Sequence, residues 1–94
     1  MIRSFKCKET ERIWQGQSRR KFPGDIQNRA LRKLRQVDAS VTVDDLRNPP
    51  ANRLEALKGD RAGQMSIRIN DQWRICFRWT KGGDAEDVEI VDYH

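Results

Sequence analysis

The chain has little with which to hold a metal or cross-link itself. One histidine, His94, and two cysteines, Cys7 and Cys76, with no Cys-x-x-Cys pair, exclude the common zinc arrangements and any dense disulfide framework. Catalysis by cysteine needs a base beside the thiol, and the lone histidine is the last residue of the sequence, so a cysteine enzyme is not expected. No metal, no cofactor and a reduced, cytoplasmic setting are the expectation. No apolar run approaches the ~18–20 residues of a membrane span, and Met1-Ile2-Arg3-Ser4-Phe5 alternates like a strand instead of opening a signal peptide. No membrane partner is expected, and no internal repeat or low-complexity tract is found. At 94 residues the chain suits one domain with one core, residues 1–94, and is too short for two.

Charge, by contrast, is abundant. Charged residues make up 35% of the chain against 36% hydrophobic, where about 25% charged is usual, so the core is small and the surface wet. The net charge of +5 is unevenly spread: residues 1–38 carry eleven Lys/Arg against four Asp/Glu, and residues 39–94 carry eight against ten. The positive first part favours an anionic partner, nucleic acid foremost.

Periodicity supplies the elements. Residues 2–6 alternate as a short strand, and residues 8–15 read as a weak helix with Ile13 and Trp14 apolar, ended by Gly16. Residues 16–24, with Pro23, Gly24 and the basic triplet Arg19-Arg20-Lys21, read as an exposed, mobile loop. Over residues 25–38, Ile26, Ala30, Leu34 and Val37 fall within about 80° of one another on a helical wheel, with Leu31 beside them. Arg29, Arg32, Lys33 and Arg35 take the remaining circumference of this amphipathic helix. Thr42 and Asp45 are spaced as a capping box for a helical turn that Pro49-Pro50 stops.

After Pro50 the period becomes two. Residues 53–58 read as a strand closed by Gly59-Asp60. Met65, Ile67 and Ile69 alternate with Ser66 and Arg68; Asn70-Asp71-Gln72 turns the chain; Trp73, Ile75, Phe77 and Trp79 then alternate with Arg74, Cys76 and Arg78. Lys81-Gly82-Gly83-Asp84 makes the next turn, and residues 87–93 give a last strand with Val88 and Ile90 on its apolar side. The expected fold class is α+β, a mostly antiparallel sheet of four to five strands with both helices packed on its greasy face, Trp73 and Trp79 among the core. The other face carries Ser66, Arg68, Arg74, Cys76 and Arg78. Two readings of it stand: an ordinary solvated face, or a cleft for phosphate, because guanidinium forks bind phosphoryl oxygens in pairs and keep their charge when partly desolvated.

Leu57-Lys58-Gly59-Asp60-Arg61-Ala62-Gly63, Ser66-Ile67-Arg68-Ile69-Asn70, Gln72-Trp73-Arg74-Ile75-Cys76-Phe77 and the closing Val91-Asp92-Tyr93-His94 together resemble the HigB toxins of the RelE/ParE superfamily. The likeness runs from Met1 to the last residue. It implies a RelE-like, microbial ribonuclease-type fold and a toxin of a type II toxin–antitoxin pair that enters the ribosomal A site and cuts mRNA without a metal. The implied partner is a HigA-like helix-turn-helix antitoxin, which reaches operator DNA and represses the shared operon with the toxin attached.

In-line attack by a ribose 2′-OH needs a proton acceptor, a proton donor for the leaving oxygen, and cations for the charge that grows on phosphorus. The resemblance puts Asp92, Tyr93 and His94 in the catalytic segment, with Asp92 or His94 moving protons and Tyr93 stacking on a base or orienting the ribose. It puts Arg74 at the scissile phosphate and Lys58 at the cleft edge; Arg68 follows from strand parity, and Arg61 and Arg78 complete the expected phosphate-binding set. Several members of the family carry a histidine where this chain has Glu55, a departure that removes one acid–base group and one positive charge. Arg19, Arg20, Lys21, Arg29, Arg32 and Lys33 are read as contacts to ribosomal RNA phosphates, which position without reading sequence. From a different functional class, ParE relatives share the architecture and inhibit DNA gyrase without cutting RNA, which leaves a binding-only toxin as the alternative.

Overall fold

A computed structural model describes residues 1–18 and 20–93; Arg19 and His94, both singled out above, lie outside the described residues. Helix α1 (Lys8–Trp14) carries Glu9 and Glu11 in its first turn, where carboxylates complement the helix dipole, and buries Thr10 and Ile13. Helix α2 (Gly24–Ala39) forms where the apolar period predicts it and buries Ile26, Ala30, Leu34 and Val37. Truncating one of these, Leu34 for example, removes fully buried methyl groups, a change that costs about 2–5 kcal/mol. Short 3-10 turns follow at Val43–Arg47 and Pro50–Asn52. The Asp45 carboxylate accepts the backbone N–H groups of Val41 and Thr42 at 2.8 and 3.0 Å, the acidic half of the expected capping box.

The sheet is a four-stranded meander, β1 (Glu55–Ala56), β2 (Met65–Arg68), β3 (Trp73–Trp79) and β4 (Ala85–Asp92), in that spatial order with all neighbours antiparallel. Its register stacks Ile67, Ile75 and Ile90 across three strands. Those three join α1, α2, Phe22, Leu46, Phe77 and Val88 in one core, with Trp79 packed at its margin, so both helices cover the greasy face. A bulge between Cys76 and Arg78 sets two residues of β4, Asp87 and Val88, against Phe77, and Asp87 takes a positive φ of 53°. The extra residue is what lets Ala85 and Val88 both reach the core despite their odd spacing.

Three expectations need correction. The strand expected over residues 53–58 shrinks to Glu55–Ala56, because Arg53 closes the preceding turn in the left-handed region (φ 46°) and a further 3-10 turn begins at Gly59. The strand expected over residues 2–6 is only a pair of parallel bridges to β4, Ile2 with Ala85 and Phe5 with Val88. Where that segment leaves the edge, the Thr10 hydroxyl accepts the Ile90 N–H at 2.9 Å, so α1 satisfies the next edge donor. In the stretch 16–24 the described residues are exposed as expected except Phe22, which is 3% exposed and anchors it by meeting Trp73 edge-on at 5.6 Å.

Candidate active site

The second face of the sheet is not uniformly wet: Ser66 and Cys76 are fully buried beneath longer side chains. Burial pushes the Cys76 thiol up, so it stays protonated at neutral pH and is no nucleophile. Arg74 is the most firmly held group here. Its side chain is 11% exposed; Nε donates to Ser66 Oγ at 2.9 Å, Nη2 donates to the Arg53 carbonyl at 2.7 Å, and Glu55 Oε1 lies 3.6 Å from Nη2. Its guanidinium carbon stands 5.8 Å from the centre of the Tyr93 ring, within cation–π range.

Arg68 is the cross-strand partner of Arg74. Two like charges set directly opposite in a sheet repel, and each is offset by its own carboxylate, Asp71 for Arg68 and Glu55 for Arg74. Arg53, Arg68, Arg74 and Tyr93, with Asn70 and Asp71 of the β2–β3 turn, line a shallow cleft of about 290 Å³. The arrangement can take a planar base against Tyr93 and a phosphate between the guanidinium groups, and Arg74 is positioned by Ser66 and the Arg53 carbonyl before any ligand arrives.

Of the expected site, the fold therefore brings together Arg68, Arg74 and Tyr93. Asp92 pairs with Trp73 across the sheet, on the opposite side of the pleat from Arg74, and its carboxylate receives the Gln72 side-chain amide at 3.1 Å at the sheet's end. Lys58 is exposed just before the Gly59–Arg61 turn. Arg61 is drawn to Glu89 and Gln64, both at 3.1 Å, and Arg78 to Asp87 at 3.7 Å, so both lie on the same face but away from the cleft lining. Arg20 and Lys21 are exposed in the loop; Arg29 and Arg32 are exposed and Lys33 half-buried on α2.

Sequence reasoning missed Arg53 and Asn52. Arg53 turns its carbonyl onto Arg74, and Asn52 is fully buried, its amide nitrogen donating to the carbonyl of Leu46 at 3.1 Å and to Gln36 Oε1 at 3.1 Å while its oxygen accepts Lys33 Nζ. An asparagine shortly after Pro49-Pro50 is the one signal that pointed to such a turn-locking role.

Two helices on one face of an antiparallel sheet, with clustered arginines and a tyrosine on the other, define a small α+β protein with a basic cleft. A family model described as RelE-like toxin of type II toxin-antitoxin system HigB matches residues 3–94. Toxin HigB-1 of Vibrio cholerae serotype O1 (strain ATCC 39315 / El Tor Inaba N16961) is 42% identical over 83 residues, 87% of each chain. Endoribonuclease HigB of Proteus vulgaris is 33% identical over 94 residues, 100% of each chain. A solved YoeB/ParE toxin from Agrobacterium tumefaciens aligns with all of this chain and 99% of its own, at 20% identity and a TM-score of 0.49. The chain belongs to the HigB-like toxins of type II toxin–antitoxin systems. Membership in such a two-component system gives it an antitoxin as partner.

Proposed function

We propose that this toxin is a metal-independent endoribonuclease that cuts mRNA in the ribosomal A site and so stops translation. The observation that carries the reading is the clamp of Arg74 beneath the Tyr93 ring with Arg68 opposite, in one cleft. The name of the Proteus vulgaris relative supports it. In the reaction the 2′-OH loses its proton, its oxygen bonds to the adjacent phosphorus, the bond from phosphorus to the 5′ oxygen breaks, and that oxygen takes up a proton. The products are a 2′,3′-cyclic phosphate and a 5′-OH.

Arg74 and Arg68 hold the non-bridging oxygens as charge grows there, and Lys58 adds a cation at the edge. Tyr93 stacks on the base beside the cut and thereby orients the ribose. The family motif offers Asp92 or His94 for proton transfer; Asp92 turns to the side of the pleat opposite Arg74, whereas Glu55, whose carboxylate lies beside Arg74, is placed to accept the 2′-OH proton. Arg19, Arg20 and Lys21 contact ribosomal RNA, and a HigA-like antitoxin neutralises the cytoplasmic toxin and represses the operon with it.

Primer extension on mRNA in a translating extract tests this. New 5′ ends within codons are expected with the native toxin. None are expected without ribosomes or with Arg74→Ala. Inhibition of gyrase supercoiling without any RNA cleavage would instead select the binding-only alternative.

A further inference from the structure

A second hollow, of about 530 Å³, lies between α2 and the β2–β3 turn. Arg68, Asn70 and Asp71 line both this hollow and the Arg74–Tyr93 cleft, so the turn is a wall common to the two. The far wall is α2, through Arg29, Arg32 and Lys33. Its volume falls within the ~300–1,000 Å³ of small-ligand pockets, and its charge is one-sided. Against the cations of Arg29, Arg32, Lys33 and Arg68 the lining offers one carboxylate, Asp71, which is already paired with Arg68.

Two of the helix cations are held by neutral acceptors that leave their charge in place. Arg29 Nη1 donates to the Ile69 carbonyl at 3.3 Å, and Lys33 Nζ donates to Asn52 Oδ1. Burial, and after it the neighbouring charges of Arg29 and Arg32, lower the Lys33 pKa, as crowding among cations does. An anion in the hollow relieves that crowding. Lys33 is half-buried and turned inward, which separates it from the outward-facing ribosomal contacts expected of this helix from its sequence.

We propose that this hollow is a second phosphate subsite of the substrate strand, holding the RNA backbone one or two nucleotides beyond the linkage at Arg74. The proposal rests on the nuclease reading above and extends it: phosphate contacts fix register without reading bases, so α2 sets where along the cleft the strand lies while Tyr93 meets the base.

The probe is a pair of non-cleavable 2′-O-methyl oligoribonucleotides, a dinucleotide and a tetranucleotide, titrated into the purified toxin and followed by backbone amide NMR. The dinucleotide is expected to shift Arg74 and Tyr93. The tetranucleotide is expected to shift Arg29, Lys33 and Asn52 as well and to bind about tenfold more tightly, the value of one charge-assisted contact. Arg32→Glu is expected to remove that gain, whereas Arg35→Glu, on the same helix but outside the hollow, keeps it. Equal affinity for the two lengths, or a gain that survives Arg32→Glu, overturns the proposal. So does Arg32→Glu weakening sedimentation with small ribosomal subunits while the gain persists, which would return these cations to ribosomal RNA. Failure of the nuclease reading shows separately, as dinucleotide binding that Arg74→Ala leaves unchanged.

Discussion

The guanidinium of Arg74 stands 5.8 Å from the centre of the Tyr93 ring, and its Nη2 lies 3.6 Å from the Glu55 carboxylate. A basic group near the end of one strand thus meets a residue of the first strand and the residue that follows the last. The cluster joins a guanidinium, an aromatic ring and a carboxylate.

If Tyr93 acts through its ring, Tyr93→Phe keeps the contact with Arg74 and retains cleavage within about threefold, whereas Tyr93→Ala loses about tenfold or more, in line with ~1–3 kcal/mol per stacked base. The check is primer extension at matched toxin concentration. Equal loss in both variants would shift the role from the ring to the hydroxyl.

Glu55 stands where several family members carry histidine. Glu55→Gln keeps the shape and removes the proton acceptor, and is expected to lower the single-turnover cleavage rate on programmed ribosomes by about 10²-fold. Glu55→His, which exchanges the carboxylate for the imidazole carried by several family members, is expected to cleave at least as fast as the native chain. Full activity in Glu55→Gln would remove Glu55 from the reaction.

Asn52→Ala is expected to destabilise the chain by about 1–3 kcal/mol, measured by urea denaturation, because it leaves the buried Leu46 carbonyl without its donor. Cleavage should fall as well, since Asn52 fixes the turn from which the Arg53 carbonyl holds Arg74. An unchanged unfolding midpoint would show that the neighbouring groups find other partners.

Asp84 ties the amino-terminal segment to the β3–β4 turn through Arg3 Nε at 2.9 Å, and that hydrogen bond is the chief reason its carboxyl titrates below the usual carboxylate range. A depressed folded-state pKa favours folding while the group is ionised. The contribution is complete above the ordinary aspartate pKa of about 3.9 and fades as pH falls through the lower folded value. Asp84→Asn should therefore lower the melting temperature at pH 7, with the gap from the native chain closing below about pH 4. A gap of constant size down to pH 2 would contradict this assignment.

Much of the fold was legible in local pattern. The apolar stripe of Ile26, Ala30, Leu34 and Val37 marks α2 to within one residue at either end, and the alternation from Trp73 to Trp79 marks β3, because helix and strand turn burial into fixed spacings. The strand at residues 53–58 was overread because the left-handed turn at Arg53 leaves no trace in hydrophobic spacing. Phe22 escaped for a similar reason: a single anchor in a loop has no period.

The sequence by itself determined the α+β class, the apolar face of the sheet, the parity that sets Arg68, Arg74 and Arg78 on the other face, and the motif that singles out Asp92, Tyr93 and His94. Only the tertiary structure decided that Tyr93 closes over Arg74 while Asp92 turns to the opposite side, that Arg61 and Arg78 are occupied by carboxylates, and that the cations of α2 share a wall with the cleft. The division has a physical cause. Side-chain direction along a strand follows from neighbours in sequence, whereas pairing across strands and between helix and turn is set by packing among residues far apart in the chain.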